Sequence, residues 1–508
     1  MRKKFIVTFF SCLGLLAANA QETELSPVEK LEQRTEVLES AVKKLQKLKV
    51  SGYIQAQYQY AESQADGNNF KLANRANAYE SNAFIPGTKE YKGLDGFGRF
   101  GVRRGRIKFT YEEGIASGVV QLDITDKGIS SDRNVVVFKD VYLNVKDPWM
   151  GTCAFKAGIF DRPFGHEIAY SSSVRESPER ARIIQSLFPD ERDLGAMLTL
   201  QGPKDTPWNI VKLEGGLFAG NGIRPQIDNH MDFIGRLSGS YVFGNSMSLS
   251  GGASLYLGGV LQMDSVTYAM KNNMFVLDSD KRSNIGGYAK RQYIGFDLQY
   301  SVMTPAGLTQ LRGEYIFGEH PGNSSGAYDF KFMNILPISN PNADPPVNSN
   351  VYMRNISGGY VILTQDLGTL PLTAVVKYDW YNPNTGVSGD DIAMANTKKV
   401  TDENGVETTE YINGFTGEKT DGGIAKQQKT SKGDITMNNI GLGLIWRINN
   451  ALKLTAYYDI VSNEKTKNLK NTYNKDANGD DIKSEIVSYG YEDNRPANVF
   501  TLRLQYKF

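Results

Sequence analysis

Residues 99–108 hold Arg99, Arg103, Arg104, Arg106 and Lys108 with no acidic residue among them. Arg104, Arg106 and Lys108 alternate with Gly105, Ile107 and Phe109. Side chains of an extended chain point to opposite faces in turn, so this spacing stacks three cations in one column, about 6.5–7 Å apart. Such a column lining a channel selects for anions, and the guanidinium fork suits the oxygens of phosphate. Strict alternation puts Arg103 on the other face; either a β-bulge re-aims it or it sits near an interface. Lys156, Arg236 and Arg312 are further inward candidates by the same alternation, as are Lys212, Lys377, Lys453 and Arg503. The opposing reading is that all these cations balance inward carboxylates, for which Asp123, Glu214, Glu314, Asp379 and Asp459 qualify.

Other chemistry is sparse. His166, His230 and His320 are scattered without metal-ligand spacing and read as loop residues. No nucleophile elbow, phosphate loop or paired catalytic motif is present, so neither an enzyme nor a cofactor or metal is expected. Asn474, Asp476, Asn478, Gly479, Asp480 and Glu485 approximate a calcium loop, but without Asp at its first position they read as a solvated turn. Cys153 alternates with Phe155 and Ala157, as an inert apolar residue would.

The elements that must position these residues are strands. Ile54, Ala56 and Tyr58 alternate with Gln55, Gln57 and Gln59; Leu452, Leu454, Ala456, Tyr458 and Ile460 alternate with Lys453, Thr455, Tyr457 and Asp459. The same period of two predicts sixteen strands: 50–60, 97–111, 118–125, 135–146, 152–160, 194–200, 208–218, 232–243, 247–258, 291–301, 308–318, 355–365, 371–381, 436–447, 451–462 and 497–508. Their connections alternate between short turns and long polar loops, the long ones including 61–96, 161–193, 259–290, 319–354, 382–435 and 463–496. A soluble sandwich has no reason to collect its long loops at one end. A closed transmembrane barrel does, with an even number of antiparallel strands. Trp149, Trp208, Trp380, Trp446, Tyr360 and Tyr378 lie near strand ends, as interfacial girdles do.

Composition agrees. The 508 residues include 27 Tyr and 24 Phe, far too many aromatics for a disordered chain. A mean hydropathy of −0.39 rules out a helical membrane protein. A formal net charge of +1 argues against nucleic acid as a partner, and two cysteines cannot build a disulfide framework.

Residues 1–20 read as a signal peptide: basic Arg2, Lys3 and Lys4, an apolar stretch from Phe5 to Ala18, and small residues at the cleavage site before Gln21. Cleavage at Cys12 for lipidation would leave too short an apolar stretch. Residues 21–49 hold a capping box at Ser26-Pro27-Val28-Glu29. Val28, Leu31, Thr35, Leu38, Val42 and Leu45 follow at heptad spacing, which predicts a short periplasmic coiled coil. Residues 50–508 are the barrel. Its last strand, with Phe500, Leu502, Leu504, Tyr506 and Phe508 on one face, resembles the signal read by the outer-membrane barrel assembly machinery.

Two stretches, Arg99-Phe-Gly-Val-Arg103-Arg104-Gly-Arg106 and Gly158-Ile-Phe160-Asp-Arg-Pro163-Phe164-Gly165-His-Glu167, resemble the phosphate-selective porins of the O and P family. Ser171-Ser172, Glu179-Arg180 and Phe188-Pro-Asp-Glu-Arg192-Asp193-Leu-Gly195 follow in the expected places. The resemblance implies an all-β, sixteen-stranded antiparallel barrel, trimeric, in the outer membrane of a Gram-negative bacterium. It also implies passive diffusion of small anions such as phosphate past an arginine ladder that includes Arg103, Arg104 and Arg106. The 161–193 loop would then fold inward and narrow the pore with Arg162, Arg175, Arg180, Arg182 and Arg192. That loop nonetheless carries seven acids against these five arginines. The alternatives are a general or sugar-selective porin, in which aromatics such as Tyr457 would line the path, and a non-conducting adhesin or scaffold barrel.

Overall fold

The computed structural model describes residues 46–62, 97–125, 136–324 (save 225, 227 and 245), 350–393, 396–401, 407–412, 426–468 and 498–508, with Thr35, Glu39 and Val42. The chain divides into two units, Met1–Leu48 and Lys49–Phe508. In the first, Thr35, Glu39, Val42 and Gln46 are helical. The signal peptide, the seam residues Leu31, Leu38 and Leu45, and the calcium-like stretch 474–485 lie outside the described residues.

In the second unit sixteen antiparallel strands follow in chain order: β1 Leu48–Ala61, β2 Phe97–Glu113, β3 Ala116–Thr125, β4 Val136–Lys146, β5 Cys153–Asp161, β6 Arg192–Gln201, β7 Val211–Phe218 and β8 Asp232–Phe243, then β9 Met247–Leu261, β10 Tyr288–Thr304, β11 Gly307–Gly322, β12 Val351–Asp366, β13 Leu372–Asn382, β14 Met437–Arg447, β15 Leu452–Asn463 and β16 Val499–Lys507. Each pairs with the next, and β16 returns to β1 from Tyr53↔Lys507 to Ala61↔Val499, so no edge is left open. These are the strands that the alternation marks out, shifted by a few residues at their ends. One end differs more: 207–210, expected to begin β7, is a 3-10 turn opened by Pro207.

Alternation fixes which face meets what. Along β1, Gln55, Gln57 and Gln59 are buried while Ile54 and Tyr60 are exposed. Along β16, Thr501, Arg503 and Gln505 are buried while Leu502, Leu504, Tyr506 and Phe508 are exposed. An outward belt of large apolar side chains recurs on strand after strand, including Phe138, Leu198, Phe296, Leu363 and Leu442. A continuous surface of this kind is sustained by lipid, not water. Trp149 and Trp208 project from the short turns, and Trp446 and Tyr378 are exposed near strand ends, as girdle residues are. Tyr360 is not one of them. It falls in register with inward Ile356 and Ile362, is 3% exposed, and packs inside the barrel.

Two regions expected as loops contain strands of their own. The hairpin 266–271/274–280 extends the sheet by parallel pairing of Thr267–Ala269 with Val351–Met353, and by Phe275 and Val276 pairing with Gln428 and Gln427. Residues 396–401 pair with 407–412 in a separate hairpin. Where these loops converge, Arg354 Nε donates to Asp434 Oδ1 at 2.7 Å, with both side chains wholly buried. His320, expected in a loop, lies in the last residues of β11, paired with Arg354 of β12, and is buried against the Tyr293 hydroxyl.

Candidate constriction and anion site

Between β5 and β6 the chain turns into the barrel. Its neck is fixed by Arg192, paired with Asp140, Asp161 and Glu191, and by Arg162, whose Nε lies 3.0 Å from Asp193 Oδ2. The first turn needs Gly165: its φ is +62°, and a Cβ there would lie 1.7 Å from Glu314 Oε1. Glu314, on β11, accepts from the His166 and Glu167 amides at 3.1 and 3.0 Å. A short helix, α1 Arg182–Leu187, follows, and Asp379 of β13 accepts from the Arg182 amide at its start.

The loop has two faces. Its apolar face, Phe164, Ile168, Ile183, Ile184, Leu187 and Phe188, is buried against wall residues that include Phe218, Tyr256, Tyr293, Ile316 and Ile356. Gly295 of β10 leaves the space that the Phe164 ring fills, since a Cβ there would come within 2.8 Å of it. Each such fully buried side chain contributes roughly 1.5–3 kcal/mol. The polar face is tied to the opposite wall. The Ser172 hydroxyl meets Tyr53 Oη at 2.6 Å, and the Ser172 carbonyl accepts from Gln55 Nε2 at 3.0 Å. The Ser173 carbonyl accepts from Gln505 Nε2 at 2.8 Å.

On this polar side the cations gather. Glu179 is gripped by three guanidiniums: Arg103 through Nε at 2.8 Å and Nη2 at 3.0 Å, Arg104 through Nη2 at 3.2 Å, and Arg503 through Nη2 at 3.1 Å. Burial alone would raise the Glu179 carboxyl, yet Arg103, Arg104 and Arg503 hold it well below the usual carboxylate range. Arg103 and Arg104 are consecutive and reach the same carboxylate, so strict alternation breaks there and Arg103 points inward. Arg175, 4% exposed, donates to the Ser177 and Pro178 carbonyls, and its Nη1 has no hydrogen-bond partner. Arg503 Nη1 meets the same Pro178 oxygen at 2.8 Å. Lys453 Nζ donates to the carbonyls of Ser173 and Arg175 at 3.2 and 3.3 Å.

The remaining sequence candidates divide. Arg106 pairs with Asp123 at 2.9 Å, Arg236 with Asp297 through both forks, Arg312 with Glu176, and Arg180 with Glu191. Arg180 also donates to three carbonyls of its own loop, Glu167, Ile168 and Tyr170, and so stitches the loop to itself. Lys156 lies over the rings of Tyr142 and Phe160, 5.0 and 5.3 Å from their centroids. Lys108 is half-buried and forms no ion pair with a described residue. Arg182 is half-buried on α1; of Arg99 only the backbone, in β2, is described.

The expected column therefore exists, but not free of acids. Asp123 faces Arg106 across the β2–β3 pair, and Glu179 arrives from the loop. Glu179 was legible only as half of the Glu179-Arg180 motif, and nothing in its neighbourhood announced three arginine partners. Tyr457 is inward but is not a free stacking surface, because its ring lies over Gly441 and Gly443.

A closed barrel of sixteen strands, apolar outside and polar within, with its long loops at one end, is an outer-membrane barrel of a Gram-negative bacterium. No known family model matches the chain, and no curated protein matches it. Among solved structures it is similar to the outer-membrane channel DcaP of Acinetobacter baumannii, at 12% identity and TM-score 0.45, covering 91% of this chain and 97% of that one. It is also similar to an anion-selective porin from Comamonas acidovorans, at 10% identity and TM-score 0.44, covering 91% and 99%. A third is the trimer form of OmpT, an outer membrane protein of Vibrio cholerae, at 10% identity and TM-score 0.43, covering 91% and 99%.

Proposed function

We propose that this chain is a porin, a passive path for small solutes, whose constriction at the inward loop prefers anions such as phosphate. The observation that carries the reading is the charge balance where the loop meets β1, β2, β15 and β16. Arg103, Arg104 and Arg503 converge there on Glu179, Arg175 and Lys453 stand beside them on backbone carbonyls, and the nearby Glu176 is taken by Arg312. Uncompensated cations in a narrow, low-dielectric passage raise the local anion concentration. Lys108 and Lys156, which form no ion pair with a described residue, extend the positive wall. In this reading the barrel works as a homotrimer in lipid, delivered by the barrel assembly machinery through the strand that ends at Phe508.

Reversal potentials in planar bilayers under a potassium chloride gradient test it. Chloride should carry more current than potassium, added phosphate should reduce the chloride current, and R175Q/K453Q should weaken both effects. Cation preference in the wild type would overturn the reading. One observation favours a second reading, a barrel plugged by its loop: the loop is fastened both to β10–β13 and to β1, β2, β15 and β16. Absence of single-channel conductance would select it.

A further inference from the structure

Three guanidiniums around one carboxylate are more than a loop anchor requires. On the wall strands Asp123 meets one arginine, Arg106, and Asp297 meets one, Arg236. Glu191, at the neck of the loop, meets Arg180, Arg192 and Lys139 but has no arginine from a facing wall strand among the described residues. At Glu179 both oxygens are filled by four donors from Arg103, Arg104 and Arg503, arranged as a seat for an oxyanion that presents two oxygens side by side. The wall supplies all three arginines from regular strands, β2 and β16, whereas the carboxylate comes from an irregular stretch of loop between Pro178 and α1. The loop backbone is itself held there, the Pro178 carbonyl by Arg175 and Arg503 and the Glu179 carbonyl by the Ser177 hydroxyl, so the part able to leave the seat is the Glu179 side chain, by rotation. Withdrawal would take away the carboxylate that Arg103, Arg104 and Arg503, all 4–7% exposed, have in common, a state that calls for an exchangeable anion.

We propose that the Arg103–Arg104–Arg503 cluster is a binding site for solute oxyanions, small carboxylates and phosphate, and that Glu179 is its tethered competitor. A passing oxyanion takes the seat only as the Glu179 carboxylate swings out, and Glu179 returns to expel it. Release is then built into the loop, which keeps a three-arginine site from becoming a trap. This rests on the anion-passage reading for its role, but the site itself can be measured without conduction.

The experiment is calorimetric titration of the purified, full-length protein in detergent with acetate, inorganic phosphate and chloride, for wild type and E179Q. Removing the competing charge should tighten acetate and phosphate binding at least tenfold, with little gain for chloride, and adding R503Q to E179Q should abolish the gain. Equal affinities in wild type and E179Q, or a gain for chloride as large as for acetate, would overturn the proposal. Should E179Q fail to give a heat-modifiable barrel, E179D keeps the charge but shortens the reach to three guanidiniums. It should show a smaller gain of the same kind, and no gain would again overturn the idea. A non-conducting barrel in which E179Q gains oxyanion binding would remove the porin reading and leave the site standing.

Discussion

Two arginines one residue apart in a column are held in unequal ways. Among the described residues Arg106 is the single cation paired with Asp123, a wholly buried carboxylate whose Oδ1 has no hydrogen bond there. Arg104 shares Glu179 with Arg103 and Arg503. Stripping a buried acid of its only cation costs about 3–5 kcal/mol, whereas an acid that keeps two guanidiniums loses far less. R106Q should therefore lower the temperature at which the folded barrel unfolds on gels more than R104Q does. The double variant should shift the reversal potential toward cations, because two positive charges leave the wall while Asp123 and Glu179 stay. Unchanged ion preference in R104Q/R106Q would remove these two residues from the selectivity wall. The run of cations was legible in the sequence because strand alternation needs only local spacing. Their partners were less so: Glu179 comes from 75 residues beyond Arg104, and only the folded loop brings them together.

At the scale of elements, legibility followed the solvent on each side. Every barrel strand separates lipid from a polar interior, so its period of two is written in side-chain polarity. The hairpin 266–280 and the pairing at 427–428 are only six, seven and two residues long and lie within stretches that read as polar loops, so their pairing is not marked out by a long alternation. Tyr360 was misplaced for another reason: an aromatic near a strand end marks either a girdle or the packed interior, and only its register separates the two. Turns are legible through their own chemistry. Between β4 and β5, the Asp147 carboxylate accepts from the amides of Trp149, Met150, Thr152 and Cys153. These bonds, led by that from Cys153, hold its carboxyl well below the usual carboxylate range. A depressed carboxyl stabilises the fold above the unfolded pKa of about 4, and that contribution fades as pH falls toward the folded value. D147A should therefore lower the unfolding temperature at pH 7, with the gap from wild type narrowing below pH 4. A gap that stays constant with pH would mean that the charge of Asp147 is not what orders the turn.

The chain joins a barrel to an N-terminal unit of different periodicity, for which we propose a part in self-association. Of the heptad positions, Thr35 and Val42 are described; both are helical, both are exposed, and Val42 is 49% so. An apolar seam position left half in water gains by burial against another helix, at about 25 cal/mol per Å². Three heptads are short for a stable coiled coil on their own, and Val at a with Leu at d favours two strands over three. The helix would thus strengthen an oligomer whose symmetry the barrels set, instead of dictating that symmetry. Deleting 26–48 should then lower the temperature at which the oligomer dissociates on semi-native gels and reduce chemical cross-linking between protomers. The barrel should keep its heat-modifiable mobility, since closure between β1 and β16 begins at Tyr53 and does not involve the deleted residues. Val42→Asp, which charges the seam without shortening the chain, should weaken the oligomer in the same direction. If both variants dissociate at the wild-type temperature, the helix takes no part in self-association.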